Sequence, residues 1–150
     1  MSILRPDVKN AYPMLLSHTV GILRSIRGGP WDRQTGLPTW KIKDIVAHIA
    51  SGAIRKLSSL ERNDLHTNKE SLSYEELVKA IETQNEQWLS ILGGLHPFVL
   101  VDMLETFYGK LIAKFNGMDS ESMAVHGVAW AGQSESANWF DIAREYTELW

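Results

Sequence analysis

Apolar side chains recur every three or four residues along most of this chain, the spacing that places them on one face of an α-helix. Four segments show the pattern clearly. Their apolar positions are Leu15, Leu16, Val20, Ile22, Leu23 and Ile26; Ile42, Ile45, Val46, Ile49, Ala53, Leu57 and Leu60; Leu77, Ile81, Trp88, Leu89 and Leu92; and Trp139, Ile142, Ala143, Tyr146 and Trp150. A further helix is predicted from Pro97 to about Phe115, where the short apolar run 99–103 would also suit a strand. The overall pattern predicts an all-α bundle.

Residues that start or stop helices set the predicted boundaries. Proline is tolerated in the first turn of a helix, so the first helix should begin close to Pro13, and a Gly-Gly-Pro run should end it. Thr39 is a suitable N-cap for the second helix. Ser73 and Glu76 have the spacing of a capping box, which predicts the start of the third helix.

The stretch from Asn116 to Ser136 has little periodicity, and a long irregular segment in a compact domain is often functional. It contains His126, and it holds Trp130 between two glycines, which suggests an aromatic side chain on a tight turn that lines a pocket. The last helix is predicted to begin near Asn138 and to be still running at Trp150.

Composition narrows the classes of function. The 150 residues suit one domain, and no linker or low-complexity tract divides the chain. The formal net charge is −3 with scattered Lys and Arg, so nucleic-acid binding is not expected. The absence of cysteine excludes disulfides, zinc–thiolate sites and a protein thiol nucleophile. There is no signal-peptide core and no apolar run of about 20 residues, so a soluble cytoplasmic protein without membrane contact is expected.

Two segments carry the candidate chemistry. In the first, Trp40, Asp44 and His48 follow one another at intervals of four residues where the second helix opens. The second is the last helix, which includes Glu148. Together they resemble the DinB-like family and the N-terminal domain of mycothiol-dependent maleylpyruvate isomerases, the first segment matching the pattern Trp-x-x-x-Asp-x-x-x-His. The resemblance implies a DinB-like bundle of four main helices with a long loop before the last.

The resemblance also implies a divalent metal, zinc or nickel in most of the family, held by three side chains between helices. Carried onto this sequence, His48 is the first ligand and Glu148 the second. The third would be a histidine four residues after Glu148, two positions beyond Trp150. The single domain, residues 1–150, is therefore expected to lack the family's C-terminal end. A truncated chain, a site completed by a partner or another histidine, and a lost site are all compatible with this pattern.

His48 and Glu148 each have a simpler interpretation. His48 lies on the flank of an apolar stripe. This position suits a metal ligand at the open end of a helical bundle, and it equally suits a histidine that is hydrogen-bonded to a carbonyl. Asp44 would either orient the imidazole or only favour the helix dipole. Glu148 projects nearly opposite the apolar stripe of its helix, as a solvated carboxylate does, and Glu145, nearer the stripe's edge, is the substitute.

The other candidates are weaker. Arg55 and Arg144 lie on helices near the expected site and would suit a substrate carboxylate, although exposed arginines usually only solubilise a protein. The remaining histidines all suit surface positions: His18, His66, His96 and His126.

Two hypotheses of function follow. The first is a metal-dependent enzyme resembling the thiol-dependent isomerases and transferases of the family, in which the metal lowers the pKa of a bound water or thiolate cofactor. Because the chain has no cysteine, the thiol would be a low-molecular-weight molecule acting beside a small-molecule substrate. The second is a metal-free, non-catalytic bundle that serves as a dimerising or interaction module. The resemblance also implies a homodimer.

Overall fold

The computed structural model describes residues 8–61, 73–125 and 135–150, and the regular elements in these ranges are helices. They are α1 (Val8–Ser25), a 3₁₀ helix (Gly29–Asp32), α2 (Ile42–Glu61), α3 (Tyr74–Leu92), α4 (Pro97–Asn116) and α5 (Asn138–Leu149). The prediction of an all-α bundle is confirmed, and the run 99–103 is helical rather than extended. None of the helices in the described ranges is long and apolar enough to cross a membrane.

Helix α4 forms the centre of the bundle and packs against both α1 and α2. It buries the largest set of apolar side chains of any described helix, because its apolar residues recur at helical spacing along its whole length: Leu100, Val101, Leu104, Tyr108, Leu111, Ile112 and Phe115. Each fully buried residue of this size contributes about 1.5–3 kcal/mol relative to an exposed one. The core therefore fixes α1, α2 and α4 to one another.

Helix α1 begins earlier than predicted. It starts at Val8 and runs through Pro13, so the expectation that the helix begins close to Pro13 is wrong. Pro13 has no N–H to donate to the carbonyl of Lys9, which costs stability locally. Its neighbour Tyr12 is fully buried, and the Tyr12 ring is stacked on that of Phe115 with the centroids 6.2 Å apart. Burial of this face offsets the missing hydrogen bond and keeps the helix continuous.

Helix α2 begins later than predicted, at Ile42. The expectation that Thr39 caps it is wrong, because the carboxylate of Asp44 accepts a hydrogen bond from the backbone N–H of Lys41 at 2.8 Å. Thr39 instead has a φ of 71°, a left-handed conformation that β-branched residues rarely adopt. The backbone N–H of Thr35 donates to the carbonyl of Trp40 at 2.9 Å, so the turn is held closed and Trp40 is placed beside the first turns of α2.

The predicted boundaries of α3 and α4 are confirmed. Ser73 and Glu76 form both hydrogen bonds of a capping box, with N···O distances of 3.2 and 2.8 Å. Gly93 ends α3, and α4 begins at Pro97. The predicted apolar side of α3 is mostly half-buried, with Leu92 its one fully buried member. Helix α3 accordingly packs on the outside of α2 rather than in the core.

The start of α5 at Asn138 is confirmed, and the described residues before it are irregular as predicted. The N–H of Ala124 donates to the carbonyl of Ser136 at 2.8 Å, and the N–H of Asn138 donates to the carbonyl of Ser122 at 2.9 Å. These bonds join the two ends of the intervening segment. The predictions about His126 and Trp130 concern residues outside the described ranges.

Candidate functional site

The buried face of α5 coincides only in part with the one that the sequence predicts, and Ile142 belongs to both. The buried positions are Asn138, Asp141, Ile142, Glu145 and Leu149, whereas Trp150, assigned to the apolar stripe, is 86% exposed. Two acidic residues therefore lie inside the protein at 3% exposure, which apolar periodicity cannot anticipate. Burying a carboxylate requires a cation or several hydrogen-bond donors nearby.

The cations come from α2 and from α5 itself. We use the term polar seam for the charged and titratable side chains that α2 and α5 direct toward one another: His48, Arg55, Lys56, Asp141, Arg144, Glu145 and Glu148. Lys56 forms an ion pair with Asp141 across the seam, and the two side chains are 11% and 5% exposed. Burial lowers the pKa of Lys56, and the charge of Asp141 opposes that change. In the described residues, α2 and α5 lack the close backbone packing that joins α4 to α1 and α2, so long side chains span the seam.

Arg144 contacts all three acidic residues of α5. It forms an ion pair with Glu145, its Nη1 lies 3.3 Å from Oε1 of Glu148, and its Nε lies 4.0 Å from Oδ1 of Asp141. The Arg144 side chain is 22% exposed, so this contact set is partly shielded from water. The single positive charge of the guanidinium therefore offsets part of the negative charge of these three carboxylates.

Arg55 has a different set of partners. Its guanidinium donates to the side-chain oxygens of Gln84 and Asn85 on α3, at 2.9 and 3.0 Å. Burial lowers its pKa, the charge of Arg144 lowers it further, and the charge of Glu148 raises it. The two arginines that the sequence suggested thus lie within electrostatic reach of one another, but only Arg144 contacts carboxylates among the described residues.

His48 is half-buried on the flank of α2, the side on which the sequence places it. Its ring lies against that of Trp40, with the centroids 5.1 Å apart, and its Nδ1 is buried without a hydrogen-bond partner among the described residues. Burial lowers the pKa of His48, the charge of Glu148 raises it, and the charge of Arg55 lowers it. The net effect favours the neutral imidazole, the form in which histidine binds a metal.

The structure brings His48 and Glu148 to the same seam, since Glu148 is the carboxylate whose charge acts on His48. Glu148 is not fully solvated: its side chain is 40% exposed and contacts Arg144. Glu145, the substitute, is almost fully buried and ion-paired. Asp44 caps the start of α2, which supports the simpler of its two interpretations.

Sequence reasoning missed three residues at this site. Lys56 and Asp141 form its buried ion pair, and Tyr12 is fully buried beside it on α1 with a hydroxyl that has no partner among the described residues. Burial raises the pKa of Tyr12, and the nearby charges of Arg144, Asp141 and Glu148 also act on it. A signal was present in α5, because residues 141, 145 and 148 are spaced so that three acids share one helical face.

The donor set suits a divalent metal only in part. A neutral imidazole with an unpartnered buried nitrogen and a nearby carboxylate are ligands that zinc or nickel accepts. However, no group of three or more His, Asp or Glu side chains in the described ranges is arranged to hold a metal ion. His48 and Glu148 therefore make up an incomplete ligand set.

The other histidines in the described ranges add no ligand to His48 and Glu148. His18 is exposed on α1. His96 is exposed and its Nδ1 accepts a hydrogen bond from the N–H of Phe98 at 3.3 Å, so it caps α4. His66 and His126 lie outside the described residues.

The helices of the described ranges form an all-α bundle of the DinB-like class. The family model of the mycothiol maleylpyruvate isomerase N-terminal domain matches residues 16–150. The chain belongs to this family. Neither the curated proteins nor the solved structures contain a match to the chain.

Proposed function

We propose that this protein is a divalent-metal-dependent enzyme, of the thiol-utilising isomerase or transferase type, with His48 and Glu148 as metal ligands. The observation that supports this proposal is the buried Nδ1 of His48, which has no hydrogen-bond partner among the described residues. The negative charge of Glu148 also acts on the His48 side chain. An unpartnered polar atom in the interior is costly, so a bound ligand is a physical reason for it to be there. The metal is expected to be zinc or nickel.

Family membership supports the thiol part of the proposal. The family name refers to mycothiol and to maleylpyruvate isomerisation, and this chain has no cysteine of its own. When bound, the metal would lower the pKa of a coordinated water or small-molecule thiol. The chain's own contribution is to favour the neutral form of His48 and to place the ring of Trp40 against it.

Metal content tests the proposal directly. Purified protein is analysed by plasma mass spectrometry, as isolated and after incubation with zinc or nickel, beside a His48→Ala variant. His18→Ala is the matched control, because His18 is exposed on α1 and takes no part in the polar seam. We expect near-stoichiometric metal in the wild type and in the control, and its loss in His48→Ala. A wild-type protein that binds neither metal would contradict the proposal.

A second candidate is a metal-free, non-catalytic bundle that acts as a dimerising or interaction module. The observation that favours it is that Asp141, Glu145 and Glu148 each already contact a cation of the chain. The same metal analysis separates the two candidates. Absence of metal, combined with a dimer in analytical ultracentrifugation, would favour the second.

A further inference from the structure

An uncharged side of α1 is open to solvent. Met14, His18 and Ile22 follow one another at intervals of four residues, so they share one side of the helix. All three are exposed, Met14 at 76% and Ile22 at 52%. The sequence from position 11 to position 23 contains no Asp, Glu, Lys or Arg. The solvent-facing side of a helix normally carries charged residues, so this side of α1 has the composition of a surface that is covered.

An exposed tryptophan extends this surface onto α5. Trp150 is 86% exposed, and its backbone N–H donates to the carbonyl of Tyr146 at 3.2 Å, which fixes its position at the end of the helix. An open groove of about 710 Å³ lies between α1 and α5 and is lined in part by Met14, Tyr146 and Trp150. We use the term α1 patch for Met14, His18, Ile22 and Trp150. The surface thus combines a projecting aromatic ring with an apolar groove beside it.

The area of the α1 patch favours a second copy of this chain as its partner. At about 150–250 Å² for a large side chain, Met14, Ile22 and Trp150 together expose on the order of 400 Å². Apolar patches of this size on a monomer are often functional. In a twofold dimer the same patch is buried on both subunits, so with a polar rim the total approaches about 1,000 Å², the lower end for a specific complex.

Charge and shape also favour a second copy. The chain has a net charge of −3, so two copies repel each other over most of their surfaces. At the α1 patch they can approach without removing an ion from water, whereas a strongly charged partner would find no complementary charge there. Each copy contributes both a projecting ring and a groove, which is the self-complementarity that a twofold interface requires.

We propose that the α1 patch is a self-association surface, and that two copies pack it face to face with Trp150 of each copy in the groove between α1 and α5 of the other. This inference does not depend on the metal proposed above. The modest area indicates a weak dimer with a dissociation constant in the micromolar range, so monomer and dimer exchange as the protein concentration changes.

Sedimentation velocity at a series of protein concentrations tests the proposal. We expect the wild type to change from monomer to dimer, and Met14→Glu to raise the dissociation constant at least about tenfold, because each dimer would bury two unpaired carboxylates. Ile91→Glu is the matched control: Ile91 is 68% exposed on α3, outside the α1 patch, and the variant adds the same charge to the chain. Its dissociation constant should equal that of the wild type. Trp150→Ala should weaken the dimer without adding a charge.

Cross-linking locates the surface independently. The chain has no cysteine, so His18→Cys introduces a single thiol within the α1 patch, and Ser90→Cys introduces one at an exposed position on α3. A short bismaleimide should join two copies of His18→Cys efficiently and two copies of Ser90→Cys poorly. Circular dichroism checks that every variant is folded, as expected for substitutions at exposed positions.

Three results would overturn the proposal. The first is a wild type that stays monomeric at every concentration. The second is a dimer that Met14→Glu weakens no more than Ile91→Glu does, since the interface would then lie elsewhere. The third is a monomer in which the His18→Cys thiol reacts slowly with a monofunctional maleimide, because another segment of the same chain would then cover the α1 patch.

Discussion

Lys56 on α2 and Asp141 on α5 form an ion pair whose side chains are only 11% and 5% exposed. The pair joins two helices that lack close backbone packing in the described ranges, so it is a direct link across the polar seam. Removing one member of a buried pair leaves an uncompensated charge, whereas replacing both with apolar groups is often neutral. This asymmetry makes the energetic role of the pair measurable.

We expect Lys56→Met to lower the free energy of unfolding by about 3–5 kcal/mol, because Asp141 would remain buried without its partner. The double variant Lys56→Met/Asp141→Leu should recover most of that loss. Urea unfolding followed by circular dichroism measures both. A single variant as stable as the wild type would show that Asp141 is compensated by other groups, with Arg144 at 4.0 Å the nearest described alternative.

Thr39 should be a source of strain beside the candidate site. Its φ of 71° is sterically unfavourable for a β-branched residue and sterically unhindered for glycine. We expect Thr39→Gly to raise the free energy of unfolding by about 1 kcal/mol. Thr39→Ala is the matched control, since alanine keeps the Cβ atom that the left-handed conformation disfavours. Equal gains from both variants would show that backbone strain is not the reason.

The hydroxyl of Tyr12 offers a third test. It is buried without a partner among the described residues, so the folded state bears the cost of its desolvation. In the metal-free protein we expect Tyr12→Phe to be neutral or to stabilise the fold by about 1 kcal/mol. Tyr146→Phe is the control, because it removes the same atom from a half-buried ring whose centroid lies 5.3 Å away. Clear destabilisation by Tyr12→Phe alone would reveal a hydrogen-bond partner.

The capping box of α3 predicts a pH dependence of stability. Hydrogen bonds from the backbone and side chain of Ser73 lower the pKa of Glu76. The folded state therefore favours the ionised carboxylate, so the contribution to stability is complete above the ordinary pKa of glutamate. It is lost as the pH falls below the ordinary value for glutamate and through the lowered one.

Glu76→Gln should remove this part of the pH dependence, while Glu82→Gln, an exposed change on the same helix, should preserve it. Urea midpoints at a series of pH values check the difference. Identical profiles for Glu76→Gln and the wild type would mean that the box does not persist in solution.

Features set by local sequence were predicted well. The capping box at Ser73 and Glu76, the end of α3 at Gly93 and the start of α4 at Pro97 each depend on residues within a few positions of one another. The position of His48 on the flank of α2 was also predicted, because helical periodicity fixes it once the helix is known.

Features that depend on contacts between residues far apart in the sequence were not predicted. Asp141 is buried because Lys56, on another helix, forms an ion pair with it. The residues next to Asp141 in the sequence do not indicate that partner. The predicted apolar stripe of α5 consequently included Ile142 but omitted the buried Asp141 and Glu145. Pro13 likewise lies inside α1 because Tyr12 packs against α4, a contact that helix propensity alone does not include. The metal ligation by His48 and Glu148 stays a prediction.

The hydrogen bonds that join Ala124 to Ser136 and Ser122 to Asn138 hold the first residues of α5 to the residues that follow α4. All four groups belong to the main chain, so they are present whatever side chain stands at these positions, with proline at 124 or 138 the exception because it has no N–H. Mutational drift can therefore change the side chains here and leave the start of α5 where it is.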